Sequence, residues 1–228
     1  MRAEFLGRAP LRYDARVQVQ GPAFAEDPMN VPIAVRVDPA LGAVQKIVVL
    51  VDRNPIKKVL EFQPMQALPS LAFRFKLEQS SPVRAAVQVA DGSWVVGGTW
   101  VESTGGGCTV SGATRKDGSW TQTLGQVSGR LFDAPAMSTA SAASHPGARL
   151  RLQVMHPMDT GLVAGIPAFF VSRLSVRDTQ DRESARVQAF EPVSENPVFS
   201  FDFAQAPRGG VSVVGVDNNG NRIDRRLQ

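Results

Sequence analysis

The chain has 228 residues, Lys+Arg 25 against Asp+Glu 21 for a net charge of +4, and only 7 % aromatics. One cysteine and two histidines exclude an internal disulfide framework and any zinc site built on several thiolates. No apolar run approaches the ~20 residues of a spanning helix. The positive residues are scattered, without the basic stripe or interleaved aromatics of a nucleic-acid reader, so neither membrane insertion nor nucleic-acid binding is expected.

Periodicity predicts strands almost throughout. Residues 16–20 (Arg-Val-Gln-Val-Gln) and 33–37 (Ile-Ala-Val-Arg-Val) alternate as half-buried strands do. Ile47 to Val51 is a continuous apolar run, β-branched except for Leu50, which suits a strand covered on both faces, and it ends in the turn residues Asp52-Arg53-Asn54-Pro55. Residues 72–77 and 83–89 alternate again, and Asp91-Gly92 joins the latter to Trp94–Val101 as a hairpin. Strands at this spacing predict an antiparallel sandwich of immunoglobulin type.

The composition then shifts. Thr104 to Gly112 is glycine-rich, and Ser138 to Ser144 is a Ser/Ala/Thr stretch ending at His145-Pro146-Gly147. Between them, Trp120–Leu124 and Gly129–Phe132 are weak strand material. Strands resume over 149–155, 169–176, 185–190, 198–203 and 211–216, and Asp217-Asn218-Asn219-Gly220 is a strong hairpin turn. Asp91-Gly92-Ser93-Trp94 recurs as Asp117-Gly118-Ser119-Trp120 with unmatched flanks, which points to reuse of a turn and not to a repeat. The expected fold is all-β: two immunoglobulin-like antiparallel β-sandwich domains, 9–104 and 128–228, joined by a Gly-rich linker at 105–127.

That linker carries the only thiol, Cys108, after Gly105, Gly106 and Gly107. A free cysteine is usually buried as a small hydrophobe. Here glycines surround it, and glycine brings mobility and no side chain to bury. Such a context suits an exposed thiol on an arm that reaches into a partner; an inert linker cysteine fits the same residues. Arg115 and Lys116 are the nearest cations in sequence that could lower its pKa. A Cys–His nucleophile would need His145 or His156 as its base. His145 sits in a Ser-rich loop, and His156 opens Met155-His156-Pro157-Met158-Asp159-Thr160-Gly161. The histidines and Cys108 lack metal-ligand spacing. No P-loop, dinucleotide fingerprint or Gly-x-Ser-x-Gly elbow appears, so no metal and no cofactor is expected.

The first half, with its strands ending in Gly-Gly-Gly-Cys, resembles SoxY, the sulfur-carrier subunit of the sulfur-oxidation pathway. The second half resembles its partner SoxZ through residues 155–161, Ile166-Pro167-Ala168-Phe169-Phe170, Asn196-Pro197-Val198-Phe199-Ser200-Phe201 and the Asp217–Gly220 turn. The whole is similar to the SoxYZ-like carriers associated with quinoprotein dehydrogenases. The resemblance implies a carrier, not an enzyme. Cys108 is then the covalent attachment point for a sulfur compound or related small cargo, and Gly105, Gly106 and Gly107 form its arm. It further implies periplasmic sulfur-oxidation enzymes, or a quinoprotein dehydrogenase and cytochromes, as partners. The leader such proteins carry is not visible after Met1. His156 and Asp159 are candidates for a second site, Asp159 standing where SoxZ more often has Glu. The SoxY arm normally ends a chain as Gly-Gly-Cys-Gly-Gly, whereas Thr109-Val110 follow here and the chain continues. A non-catalytic escort module for a periplasmic dehydrogenase, or a Cys108–His156 thiol enzyme, are the other readings.

Overall fold

Alternation and turn chemistry set the strands, as a computed structural model shows for residues 2–133 and 146–227. His145 and the Ser138–Ser144 stretch lie outside the described residues. The first half contains β1 (Leu11–Tyr13), β2 (Val17–Gln20), β3 (Val31–Val37) and β4 (Val44–Val51). It continues with β5 (Lys58–Gln63), β6 (Ser70–Phe75), β7 (Ser81–Val89) and β8 (Trp94–Val101). The second half contains β9 (Val127–Asp133), β10 (Ala148–Val154), β11 (Val171–Arg177) and β12 (Glu183–Ala189). It ends with β13 (Val198–Phe203), β14 (Val211–Asp217) and β15 (Arg222–Leu227). Three short α-helices, α1 (Arg2–Phe5), α2 (Ala113–Asp117) and α3 (Trp120–Thr123), and a 3-10 turn at Pro39–Leu41 complete the described elements.

The all-β sandwich expectation holds, and each half contributes strands to both layers. The halves are more intimately joined than a linker alone would make them. One sheet of nine strands runs β1-β8-β7-β4-β5-β12-β11-β14-β15, and the other, of six, runs β2-β3-β6-β13-β10-β9. The first half therefore meets the second at two antiparallel seams, β5 with β12 and β6 with β13. At these seams Val187 faces Phe62 and Phe201 faces Leu71. Edge strands with unpaired N–H and C=O groups invite pairing with another strand, and here each half covers an edge of the other.

A single apolar core fills the space between the layers, with Val35, Phe62 and Phe75 from the first half and Leu150, Val187 and Phe199 from the second. The rings of Phe62 and Phe201 meet across both the layers and the halves, 5.7 Å apart. The β4 run is covered on both faces: Ile47, Val49 and Val51 enter this core, while Val48 and Leu50 pack with Leu6, Ala86, Trp94 and Val96 in a second cluster. At one end β2 crosses β8 so closely that a Cβ on Gly97 would lie 1.8 Å from Val17 O.

Two local expectations are corrected. Trp120–Leu124 is not a strand: α3 forms there, with Thr121 N–H bonding Gly118 O and Gln122 N–H bonding Ser119 O. The shared Asp-Gly-Ser-Trp sequence does the same turn chemistry twice. Asp91 accepts from Ser93 N and Asp117 from Ser119 N, and Gly92 and Gly118 both have positive φ. One turn joins two strands, and the other joins two short helices.

Candidate functional site

The site forms where β6 and β8 end and the glycine segment crosses to the second half. After Val101, Gly105 N–H bonds Ser103 Oγ, and Gly105 and Gly106 take φ of +94° and +86°. Glycine adopts such angles without the Cβ clash that other residues suffer. Gly107 is required for a different reason: a Cβ there would stand 2.4 Å from Pro28 O and 2.6 Å from Leu77 N.

These constraints turn Cys108 inward, which corrects the expectation of an exposed thiol. Cys108 is 0 % exposed. Its Sγ–H donates to Lys76 O at 3.6 Å, its N–H to Glu78 Oε2 at 2.8 Å, and its carbonyl accepts from Thr160 Oγ1 at 2.6 Å. Glu78 also takes the Thr109 hydroxyl at 2.9 Å. Burial pushes the Cys108 thiol up to about 12, the Glu78 carboxylate adds to the rise, and the Lys76 ammonium opposes it. In this position the group is a neutral thiol with little nucleophilic character.

Arg115 and Lys116 do not serve as the nearby cations. Arg115 pairs with Asp159 through Nε at 2.9 Å and through its terminal NH2, and stacks 4.2 Å over the Trp120 ring. The cation beside the thiol is Lys76, only 2 % exposed, whose Nζ donates to Met158 O at 2.5 Å. Burial pushes its pKa down, while the charges of Asp159 and Glu195 pull it back up. The floor beneath the thiol is braced by Asn54. Its Nδ2 donates to Lys76 O at 2.7 Å and its Oδ1 accepts from Glu78 N at 2.8 Å. Asn54 thus serves through its side chain; it is not among the residues with positive φ.

His156 and Asp159 share the loop that walls the second-half side, but neither bonds the thiol. His156 Nδ1 accepts from Met158 N at 3.1 Å, and its backbone exchanges bonds with Asn196. His156 Nε2 lies 3.5 Å from Asp217 Oδ2 without a hydrogen-bond partner, and the ring rests 4.4 Å from Phe169. Burial holds its pKa down at about 4, against the pull of Asp217. It is therefore neutral and shapes the loop. Asp159 anchors Arg115, and so the far end of the arm. Glu195 adds to that anchor by accepting from Ala113 N at 3.0 Å, Thr114 N at 2.8 Å and the Thr114 hydroxyl. Among the described residues no group of three or more His, Cys, Asp or Glu could hold a metal ion.

Lys76, Glu78, Asn54, Thr160 and Glu195 carried no signal as site residues in the sequence. Lys76 follows Phe73, Arg74 and Phe75, where alternation turns every second side chain outward. β6 stops at Phe75, however, and Lys76 N–H bonds Pro192 O as the chain turns, which carries the side chain inward.

Fold and site together define a two-layer all-β protein that holds one thiol on a glycine loop at the junction of its halves. Residues 2–108 match the family model of the sulfur oxidation protein SoxY, and residues 137–228 match that of the sulphur oxidation protein SoxZ. The chain belongs to the sulfur-oxidation carrier family as a SoxY domain fused to a SoxZ domain. No curated protein matches it. Among solved structures, it is similar to the sulfur carrier protein SoxY from Chlorobium limicola f thiosulfatophilum. That likeness has 20 % identity and a TM-score of 0.40, and covers 44 % of this chain and 86 % of the other. Two variants of a superoxide reductase (neelaredoxin) from Ignicoccus hospitalis show 16 % and 15 % identity, with TM-scores of 0.33 and 0.35. They cover 38 % and 41 % of this chain and 78 % and 94 % of their own.

Proposed function

We propose that this protein is a covalent carrier that holds a sulfur-containing group on Cys108 and presents it to partner enzymes, performing no catalysis itself. The observation that carries this reading is the end of the SoxY match at Cys108, the chain's only cysteine, directly after Gly105, Gly106 and Gly107. A single thiol also leaves no second cysteine to resolve the adduct as an internal disulfide. The partners are periplasmic sulfur-oxidation enzymes, or a quinoprotein dehydrogenase with its cytochromes, and the cargo is a small sulfur compound. Among the described residues no helix is long and apolar enough to cross a membrane. The burial of Cys108 favours a second reading, a partner-binding module with an unused thiol.

Intact-mass spectrometry of protein purified from its own cells separates the two. The carrier predicts mass adducts that disappear on reduction and never form on Cys108→Ser. A population that is uniformly unmodified, from cells supplied with reduced sulfur compounds, assigns the protein to the second reading.

A further inference from the structure

Glu78 holds the arm at Cys108 and Thr109 together. Its carboxylate binds the N–H of Cys108 through one oxygen and the hydroxyl of Thr109 through the other. Thr160 closes the opposite side on the Cys108 carbonyl. The sulfur between them is fully enclosed, with its S–H directed at Lys76 O. Cys108 is absent from the lining of the surface grooves formed by residues such as Glu61, Arg173 and Arg186. The enclosure fits a bare thiol.

We infer that Glu78 is the positioning residue of a load-sensitive latch: it closes over the empty arm and releases the arm once Cys108 carries a group. The inference rests on the carrier reading and extends it to the regulation of the same site. An added sulfur stands ~2 Å beyond Sγ, where a packed interior resists even an extra methylene. The adduct also replaces the S–H donor that bonds Lys76 O. Each effect opposes stowing of the loaded arm, and each vanishes when the cargo leaves.

The hinges are Gly105 and Gly106, already in φ regions that glycine visits freely. The far anchor is Glu195 on Ala113 and Thr114. The moving part is therefore residues 105–112, a loop tied at both ends. With ~3.3 Å per extended residue, its tip reaches at most about 13 Å from its anchors. A partner's site must then admit a loop and approach the junction of the halves closely.

Hydrogen exchange read by mass spectrometry tests the latch. Cys108 is converted to its methyl disulfide with methyl methanethiosulfonate, and exchange over residues 104–112 is compared before and after. The slow exchange of the Cys108 amide should accelerate at least 100-fold in the modified protein and return on reduction. The unmodified Glu78→Gln variant, which keeps the shape and loses the charge, should exchange roughly ten-fold faster than the wild type, the usual difference between charged and neutral hydrogen bonds. Equal protection with and without the methyl disulfide overturns the proposal. So does Glu78→Gln matching the wild type, or a thiol that never reacts because the arm never opens. The adduct is installed chemically, so this outcome is independent of whether a natural cargo is found on the purified protein.

Discussion

Alkylation of Cys108 by iodoacetamide at about pH 8 should be roughly a thousand-fold slower in the folded protein than in the same protein held in urea. The magnitude follows from the thiol's environment. Its ordinary value is 9.0 and burial moves it to about 12. At about pH 8 the thiolate fraction then falls from ~10⁻¹ to ~10⁻⁴. Transient opening of the arm is the competing route, so the observed rate also measures the fraction of molecules with the arm out. Stability should report the same shift. The folded chain holds this proton more tightly than the unfolded chain does. The resulting stabilisation is complete below about pH 9 and is lost as pH rises toward about 12. Across that window it amounts to about 4 kcal/mol, of which about 2 is lost by pH ~10.5. The sulfur is 0 % exposed, so solvent screening takes little from this figure. Urea unfolding of the wild type and of Cys108→Ser at both ends of the range isolates the contribution, because the serine hydroxyl does not titrate. Folded and unfolded protein alkylating within ten-fold of each other, together with an alkaline decline that Cys108→Ser retains, would refute the reasoning.

His156 should produce the opposite limb at acid pH. Its neutral form is favoured in the folded chain, so stability is lost as pH falls from 6.5 toward about 4, by up to ~3 kcal/mol. His156→Asn, which keeps an acceptor near Met158 N, should flatten that limb in acid titrations followed by circular dichroism; an unchanged limb places the titration elsewhere. Glu195→Ala removes the acceptor of Ala113 N, Thr114 N and the Thr114 hydroxyl, so trypsin should cut after Lys116 at least ten-fold faster, since leaving such groups unpaired costs ~1–3 kcal/mol. A cleavage rate matching the wild type shows that Arg115–Asp159 alone holds α2. The two seams and shared core predict one unfolding transition for both halves. Phe201→Ala should lower the unfolding free energy by ~3–5 kcal/mol, with tryptophan emission and far-UV circular dichroism moving together; two separated transitions count against the shared core.

Local patterns made most of the fold legible. The hairpin at Asp91-Gly92 and the turn at Asp217–Gly220 follow from short-range chemistry, with Gly92 at φ +81° and Gly220 at φ +90°. The alternating phenylalanines Phe199, Phe201 and Phe203 are all buried in β13. β5 is harder to see because Val59 and Leu60 are both fully buried in adjacent positions, which breaks the alternation. The cause is tertiary: β5 sits between β4 and β12 at the seam of the halves. The same limit applies at the site. The resemblance to SoxY singled out Cys108 and its glycines, but nothing near them in sequence signals Lys76, Glu78 or Thr160.

The sequence by itself determined the all-β composition of the two halves, the turns that divide their strands, and a lone thiol among glycines at their junction. These depend on residue type and short-range spacing. Only the tertiary structure decided that the halves merge into two continuous sheets, and that the thiol is enclosed and neutral. Burial is set by what lies opposite in space: the partners of Cys108 are 30, 32 and 52 residues away along the chain. Glycine around a cysteine permits an extended arm and a tightly folded one equally well. Here Glu78 and Thr160 select the folded one.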